Sequence, residues 1–266
     1  MGAAQNALAV LNSSAPAKKG LAARQLAQDW EQSRDIGTAI DLMPDKPARP
    51  GHPVLVSPGD VKRRRLGTKA GRGALLHAVA HIEFNAIDLA ADMIARFGHH
   101  PDIPKADQTN FIGDWISVCL DEARHFDLLQ TRLSELDMSY GDLPAHNGLW
   151  EAAVKTKSNF AARLAIAPMV LEARGLDVTP GMIEKLTNVG DNASADILKI
   201  IYNEEIGHVA IGARWFQKLA QIRGQEPESW FHALVSDYFA GRLKPPFNVQ
   251  ARTLAGLKEG FYMPLS

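Results

Sequence analysis

Two short segments of this chain, Glu122-Ala-Arg-His125 and Glu205-Ile-Gly-His208, share the pattern Glu-x-x-His. On a helix that spacing stacks a carboxylate and an imidazole one turn apart on one face, so each segment can offer a metal ion two ligands. Nine histidines and twelve glutamates in 266 residues give roughly 0.4 such matches by chance, so one match means nothing and two only suggest. Position carries the argument. Stepping three and four residues, as the buried seam of a helical bundle does, gives Phe111, Trp115, Val118, Glu122, His125, Leu129 in one segment. Another gives Leu198, Ile201, Glu205, His208, Gly212, Trp215, Leu219, and an earlier one gives Leu76, Val79, Glu83, Ala86, Ala90, Met93. All three are apolar at both ends and acidic in the middle, and a fourth seam through Ala161, Ala165 and Pro168 arrives at Glu172.

Stripping a carboxylate of water costs several kcal/mol even after relaxation, and four in one core would also repel each other. No Lys or Arg occupies a central seam position, so the natural counter-charge is metal. Two divalent ions balance four carboxylates and leave two neutral imidazoles as further ligands. The expected ligands are therefore Glu83, Glu122, His125, Glu172, Glu205 and His208, the donor set of ferritin-like dimetal carboxylate proteins.

The elements that must carry these residues are helices. Apolar periodicity predicts a helix over 73–97, stopped at Gly98-His99-His100-Pro101, and a second from a Thr109 cap to about Asp137. A third is expected from about Leu149 to Arg174, bent near Pro168 and closed by Gly175. Thr179-Pro180 has the signature of a new short helix; Asp191 or Asn192 begins a long one to about Arg223, and a last helix covers about 226–241. Residues 20–32 are helical in pattern but too short of apolar positions to form a core alone. Five prolines between Pro44 and Pro58 predict an extended run, followed by Lys62-Arg63-Arg64-Arg65, read as a solvated face more readily than as a phosphate contact. Sustained period-two alternation, Gly-rich phosphate loops and hairpin signals are all missing, so the fold class is all-α.

Composition narrows the function classes. With 29 Lys and Arg against 30 Asp and Glu, net charge -1, the chain is neither a basic nucleic-acid coat nor an acidic disordered tail. The single cysteine, Cys119, excludes an internal disulfide and a thiolate zinc site, which points to a reducing compartment and to oxygen and nitrogen ligands. No apolar run is long enough for a transmembrane span, and the Ala-rich start lacks the basic and apolar regions of a signal peptide; the expected location is cytoplasmic, with no membrane partner.

The segments His77-Ala-Val-Ala-His81-Ile-Glu83, Asp121-Glu122-Ala-Arg-His125-Phe126, Leu171-Glu172-Ala-Arg-Gly-Leu176-Asp177 and Glu204-Glu205-Ile-Gly-His208-Val209 resemble an uncharacterised bacterial ferritin-like family, a domain of unknown function. The likeness covers most of the chain, including the Pro-rich lead-in and Pro245-Pro246-Phe247-Asn248. It implies a ferritin-like four-helix bundle over 73–225 in the di-iron carboxylate superfamily. An N-terminal helix and Pro-rich wrapping segment would cover 1–72, and a C-terminal helix and tail 226–266. More distantly the architecture is similar to the ferritin-like hydroxylase that modifies tRNA, an analogy of fold and site only.

Neighbouring residues have plainer roles. His81 lies about 200° around the helix from Glu83, so His77 and His81 are expected to make hydrogen bonds and not to ligate the same ions. Tyr202 and Cys119, each one turn before a ligand glutamate, are expected to pack. Asp121, Asp196 and Asn203 are candidate partners for the ligand histidines. His99, His100, His146 and His232 fall off the seams, as surface residues do. Small residues Ala80, Ala86, Ala165, Gly207 and Gly212 suit close helix approach.

Carboxylate-rich ligation suits iron or manganese, and a di-iron pair activates dioxygen. The leading expectation is thus an enzyme, an oxygen-dependent di-iron hydroxylase or monooxygenase, with two iron ions, dioxygen, an unidentified substrate, an electron-donor protein and a homodimeric state. Ferritin-like storage with ferroxidase activity, a dimanganese catalase, and a metal-free helical interaction module are the alternatives. Net charge argues against a large RNA footprint, while the basic run keeps a tRNA substrate open.

Overall fold

A computed structural model describes residues 1–61 and 65–266; Lys62, Arg63 and Arg64, most of the basic run, lie outside the described residues. The helices are α1 Ala3–Leu11, α2 Pro16–Ser33, α3 Lys69–Phe97, α4 Lys105–Glu135, α5 Gly148–Lys155, α6 Phe160–Ile166, α7 Ala173–Asn188, α8 Asn192–Ile222, α9 Pro227–Tyr238, α10 Val249–Leu254 and α11 Glu259–Tyr262. A π-helical segment, Ala167–Glu172, joins α6 to α7. Among the described residues there is no strand, only an isolated bridge between Leu55 and Ala145, so the all-helical expectation holds. None of the described helices is long and apolar enough to cross a membrane. Two compact units are defined by packing: Met1–Trp150 with Lys185–Ile197, and Glu151–Glu184 with Leu198–Ser266.

In the first unit α3 packs on α4, α1 on α2 and α3, and α2 on α4. The Ala-rich start, which periodicity left unassigned, is α1; it buries Ala3, Ala4, Ala7, Val10 and Leu11 at three- and four-residue spacing. Pro16 opens α2, where its missing N–H costs nothing, and the Thr68 hydroxyl caps α3 by accepting from Gly71 N at 3.0 Å. Helix α4 begins at Lys105 after Pro104, four residues before the Thr109 cap that local sequence suggested. The Pro-rich run forms no helix before the short 3-10 turn Pro58–Asp60 and is tied down through its carbonyls: Pro44 O accepts from Arg96 at 2.9 Å and Asp45 O from Trp150 Nε1 at 2.9 Å.

Polar groups that periodicity could not pair are satisfied across this unit. Lys19 and Asp88, both fully buried, form an ion pair that Arg49 joins at 3.2 Å, and Arg49 also donates to Asn85 Oδ1 at 2.7 Å. His77 Nε2 accepts from Gly141 N at 2.9 Å. His81 binds Tyr140 OH at 2.8 Å and His146 O at 3.1 Å. The histidine stripe therefore anchors the loop after α4, as its angle from Glu83 required.

Asp191 ends the turn before α8, accepting from Ser194 N at 3.1 Å and pairing with Arg132 at 2.7 Å and Arg72 at 2.9 Å. Burial pushes its pKa up, but the Ser194 hydrogen bonds and Arg132 outweigh that and hold it below the ordinary value of 3.8. Its contribution is complete above the unfolded pKa and is lost as pH falls through the lowered folded one. Asp191→Ala is expected to cost about 2 kcal/mol at neutral pH by urea unfolding, with the difference from wild type shrinking as pH drops below about 4. An equal cost at every pH would contradict the ion-pair account.

The second unit is built around aromatic contacts. Phe216 meets Trp230 at 5.4 Å, and Phe231 meets Phe261 at 5.5 Å, both ring-centroid distances. Gly175 does not close a helix here, and Thr179-Pro180 starts none: both lie inside α7. Pro180 has no N–H to give the Leu176 carbonyl. Asn248 Nδ2 donates to that carbonyl instead, at 3.2 Å, which a short-range reading of Thr-Pro could not foresee. The same segment is held by Asp177, which accepts from Asn248 N at 2.9 Å and from Arg252 Nε at 2.8 Å and Nη2 at 2.7 Å.

Candidate metal centre

Glu83 stands halfway along α3 and Glu122 near the middle of α4, with apolar turns on both sides of each. The predicted seam residues of α3 and α4 are all buried, as periodicity required. Because α3 packs on α4, the two carboxylates and His125 meet inside the first unit. His125 Nδ1 lies 3.0 Å from Glu83 Oε2 and 3.4 Å from Glu122 Oε2, and the three side chains are 0–4% exposed. One ligand atom from each comes within 4.8 Å of the others.

Such a cluster demands positive charge. Burial alone would hold the His125 imidazole neutral, yet the hydrogen bonds and negative charge of Glu122 and Glu83 overcome it and raise its pKa to about 11. A bound divalent cation would supply that charge more completely, with the imidazole neutral and its nitrogen free to ligate.

In the second unit α8 carries Glu205 and His208 one turn apart, with Glu205 Oε1 3.5 Å from His208 Nδ1. The α8 seam is buried at Leu198, Ile201, His208, Trp215 and Leu219, and Glu205 keeps 13% exposure. Glu172, where the fourth seam arrives, has an Oε2 atom shielded from solvent. It closes the π-helical segment and is half-buried, while Ala173 and Leu176 continue the buried side. A π turn holds more residues than an α turn, so the three-four step that led from Ala165 to Glu172 loses phase there.

The neighbours resolve as local packing. Cys119 is fully buried with Sγ 3.7 Å from Ile87 O, and burial pushes its thiol pKa well above the usual range. Tyr202 OH accepts from Asn248 Nδ2 at 2.9 Å and so serves the C-terminal segment. Asp121 pairs with Arg124 at 3.0 Å, and Asp196 and Asn203 are exposed. His99, His100, His146 and His232 are half-buried, not surface residues; His232, for example, bonds Gly260 O at 2.8 Å. Gly207 is exposed, so close helix approach belongs to Gly212 and not to it.

Fold and cluster define the class first: an all-helical protein whose buried glutamates and histidine could hold a metal ion. The chain belongs to the family described as "Protein of unknown function (DUF455)", whose model matches residues 12–263. It is 42% identical over 212 residues to an "Uncharacterized protein" of Haemophilus influenzae, covering 80% of this chain and 74% of that one. No solved structure matches it.

Proposed function

We propose that this protein is a ferritin-like dimetal carboxylate oxidoreductase that uses dioxygen, a hydroxylase or monooxygenase. The observation that carries the reading is the buried cluster of Glu83, Glu122 and His125, two carboxylates held within 3.4 Å of one imidazole. The remaining ligands in this reading are Glu172, Glu205 and His208, which seam position and Glu-x-x-His spacing supply as in the ferritin-like dimetal donor set.

Hard carboxylate oxygens with imidazole nitrogens fit iron first and manganese second. A carboxylate-held di-iron pair, when bound, supplies electrons to dioxygen. The chain's own residues do the rest. Glu83 and Glu122 neutralise cationic charge, His125 gives up its proton on ligation, and the apolar turns above and below exclude water that would quench a reactive oxidant. Phe84 and Phe126, each next in sequence to a candidate ligand, are in ring contact at 5.2 Å and both pack on Tyr140.

Protein from iron-replete cells is expected to hold two iron ions per chain and to consume dioxygen when reduced. A small oligomer with stable iron content fits the enzyme; a large iron-loaded shell would select storage. Rapid hydrogen peroxide disproportionation by the manganese form would select catalase, and protein without iron or manganese would leave a helical interaction module.

A further inference from the structure

Pro168 is the second residue of the π-helical segment, and Gly212 on α8 lies directly against it: a Cβ built on Gly212 would overlap Pro168 Cβ and Cγ. The contact joins two anomalies. Proline has no N–H to return to the carbonyl four residues earlier, Leu164 O, and its ring crowds that carbonyl, so an α turn at 168 would be broken. Widening to π register relieves both problems, and here it continues to Glu172, where α7 takes over. A widened turn needs a neighbour that comes close without a side chain, and only glycine allows it.

Position links this contact to the ligands. Gly212 follows His208 by four residues and Glu205 by seven, so all three share one stripe of α8. The connection between α7 and α8 is only three residues, Val189 to Asp191, so the two helices run antiparallel. Counting forward from Pro168 and back from Gly212 brings Glu172 level with His208. An α register over 167–172 would rotate Glu172 by about 100° for each residue that the π segment absorbs. Glu172 closes that segment half-buried, with its Oε2 atom shielded from solvent.

We propose that Pro168 and Gly212 are positioning residues: the proline ring seated on Gly212 fixes the π register, and the register aims Glu172. This inference rests on the two-ion reading. It assigns to the Glu172 side of the centre a device that the Glu83, Glu122 and His125 side lacks, since α3 and α4 are uninterrupted α-helices.

The test is an anaerobic Fe²⁺ titration of the full chain by calorimetry, with the melting temperature of the metal-free protein measured alongside. Wild type is expected to bind in two steps. Pro168→Ala restores the N–H, lets the turn relax toward α register, and is expected to weaken only the second step, by tenfold or more, with the metal-free melting temperature unchanged or raised. Gly212→Ala pushes on the ring from the other side and is expected to weaken the same step. General loss of packing would instead weaken both steps and lower the melting temperature. Two unaltered steps in Pro168→Ala, or in Gly212→Ala should the first variant not fold, overturn the inference. A wild-type chain that takes up no Fe²⁺ overturns the two-ion reading itself.

Discussion

Glu122→Ala is expected to strip the protein of bound metal. Glu122 is fully buried within 3.4 Å of His125, so its loss removes both a ligand and about half the negative charge of the cluster in the first unit. Removing a mere outer partner of a metal ligand costs roughly 10- to 100-fold in affinity, and removing the ligand should cost more than that. His208→Ala on the other chelating helix is expected to do the same to its ion. Both are read as iron per chain in protein purified from iron-replete cells; retention of two ions by both variants would sink the ligand assignment. The metal-free forms should move the opposite way. Glu122→Gln keeps the shape, removes one of the two carboxylate charges buried beside His125 and is expected to melt at or above the temperature of metal-free wild type, because like charges crowded in a core oppose folding. Wild type then regains the advantage with metal, by about 4 kcal/mol when free metal is a thousand times its dissociation constant. A Glu122→Gln protein that is less stable than wild type without metal would mean that the carboxylate serves packing and not ligation.

The second large effect is expected at Lys19. Its ammonium is fully buried against the equally buried Asp88 and donates to Val10 O at 2.9 Å, which ties α2 to α1 as well as to α3. Lys19→Ala leaves Asp88 to Arg49 alone, at 3.2 Å and from a side chain that is 21% exposed. Breaking one side of a buried pair typically costs about 3–5 kcal/mol, and the retained Arg49 puts the expectation near the lower end, about 3 kcal/mol by urea unfolding. Desolvation already raises the pKa of Asp88 against the pull of Lys19 and Arg49, so the variant should take up a proton there at a higher pH than wild type. Lys19→Met with Asp88→Leu replaces the pair by apolar groups and is expected to recover most of the loss. If the double variant is as unstable as Lys19→Ala, the deficit comes from packing of the lysine stem and not from a stranded carboxylate.

Helices α3, α4 and α8, which carry five of the candidate ligands, fall within four residues of the bounds that periodicity predicts, whereas the one expected from about Leu149 to Arg174 is broken into α5, α6 and the π-helical segment. Every predicted seam position of α3 and α4 is buried, and α8 begins at Asn192 as expected. This legibility has a local cause: 3.6-residue periodicity depends on neighbours along one turn, and a carboxylate at the centre of an apolar stripe is anomalous however the stripe packs. The errors also share a cause. Thr109 and Thr179-Pro180 are sound start signals, and Gly175 is a sound stop, only for a chain whose other hydrogen bonds are local. Asn248, 72 residues after Leu176, supplies the partner that lets α7 run through Pro180. Likewise α1 lacks an obvious amphipathic signature because alanine is weakly apolar, and it becomes core only through α2 and α3.

By itself the sequence determined that this chain is all-helical and that carboxylates and imidazoles recur at helical spacing in the middle of apolar stripes. It also determined that thiolate metal chemistry is excluded, since one cysteine cannot supply it. Those properties follow from residue types and short-range geometry. The tertiary structure alone decided that Glu83, Glu122 and His125 meet within hydrogen-bonding reach, that His77 and His81 hold a loop, and that Lys19 and Arg49 answer Asp88. It alone revealed the π turn before Glu172, because whether a proline bends, ends or widens a helix depends on what lies opposite, and here that is the bare backbone of Gly212.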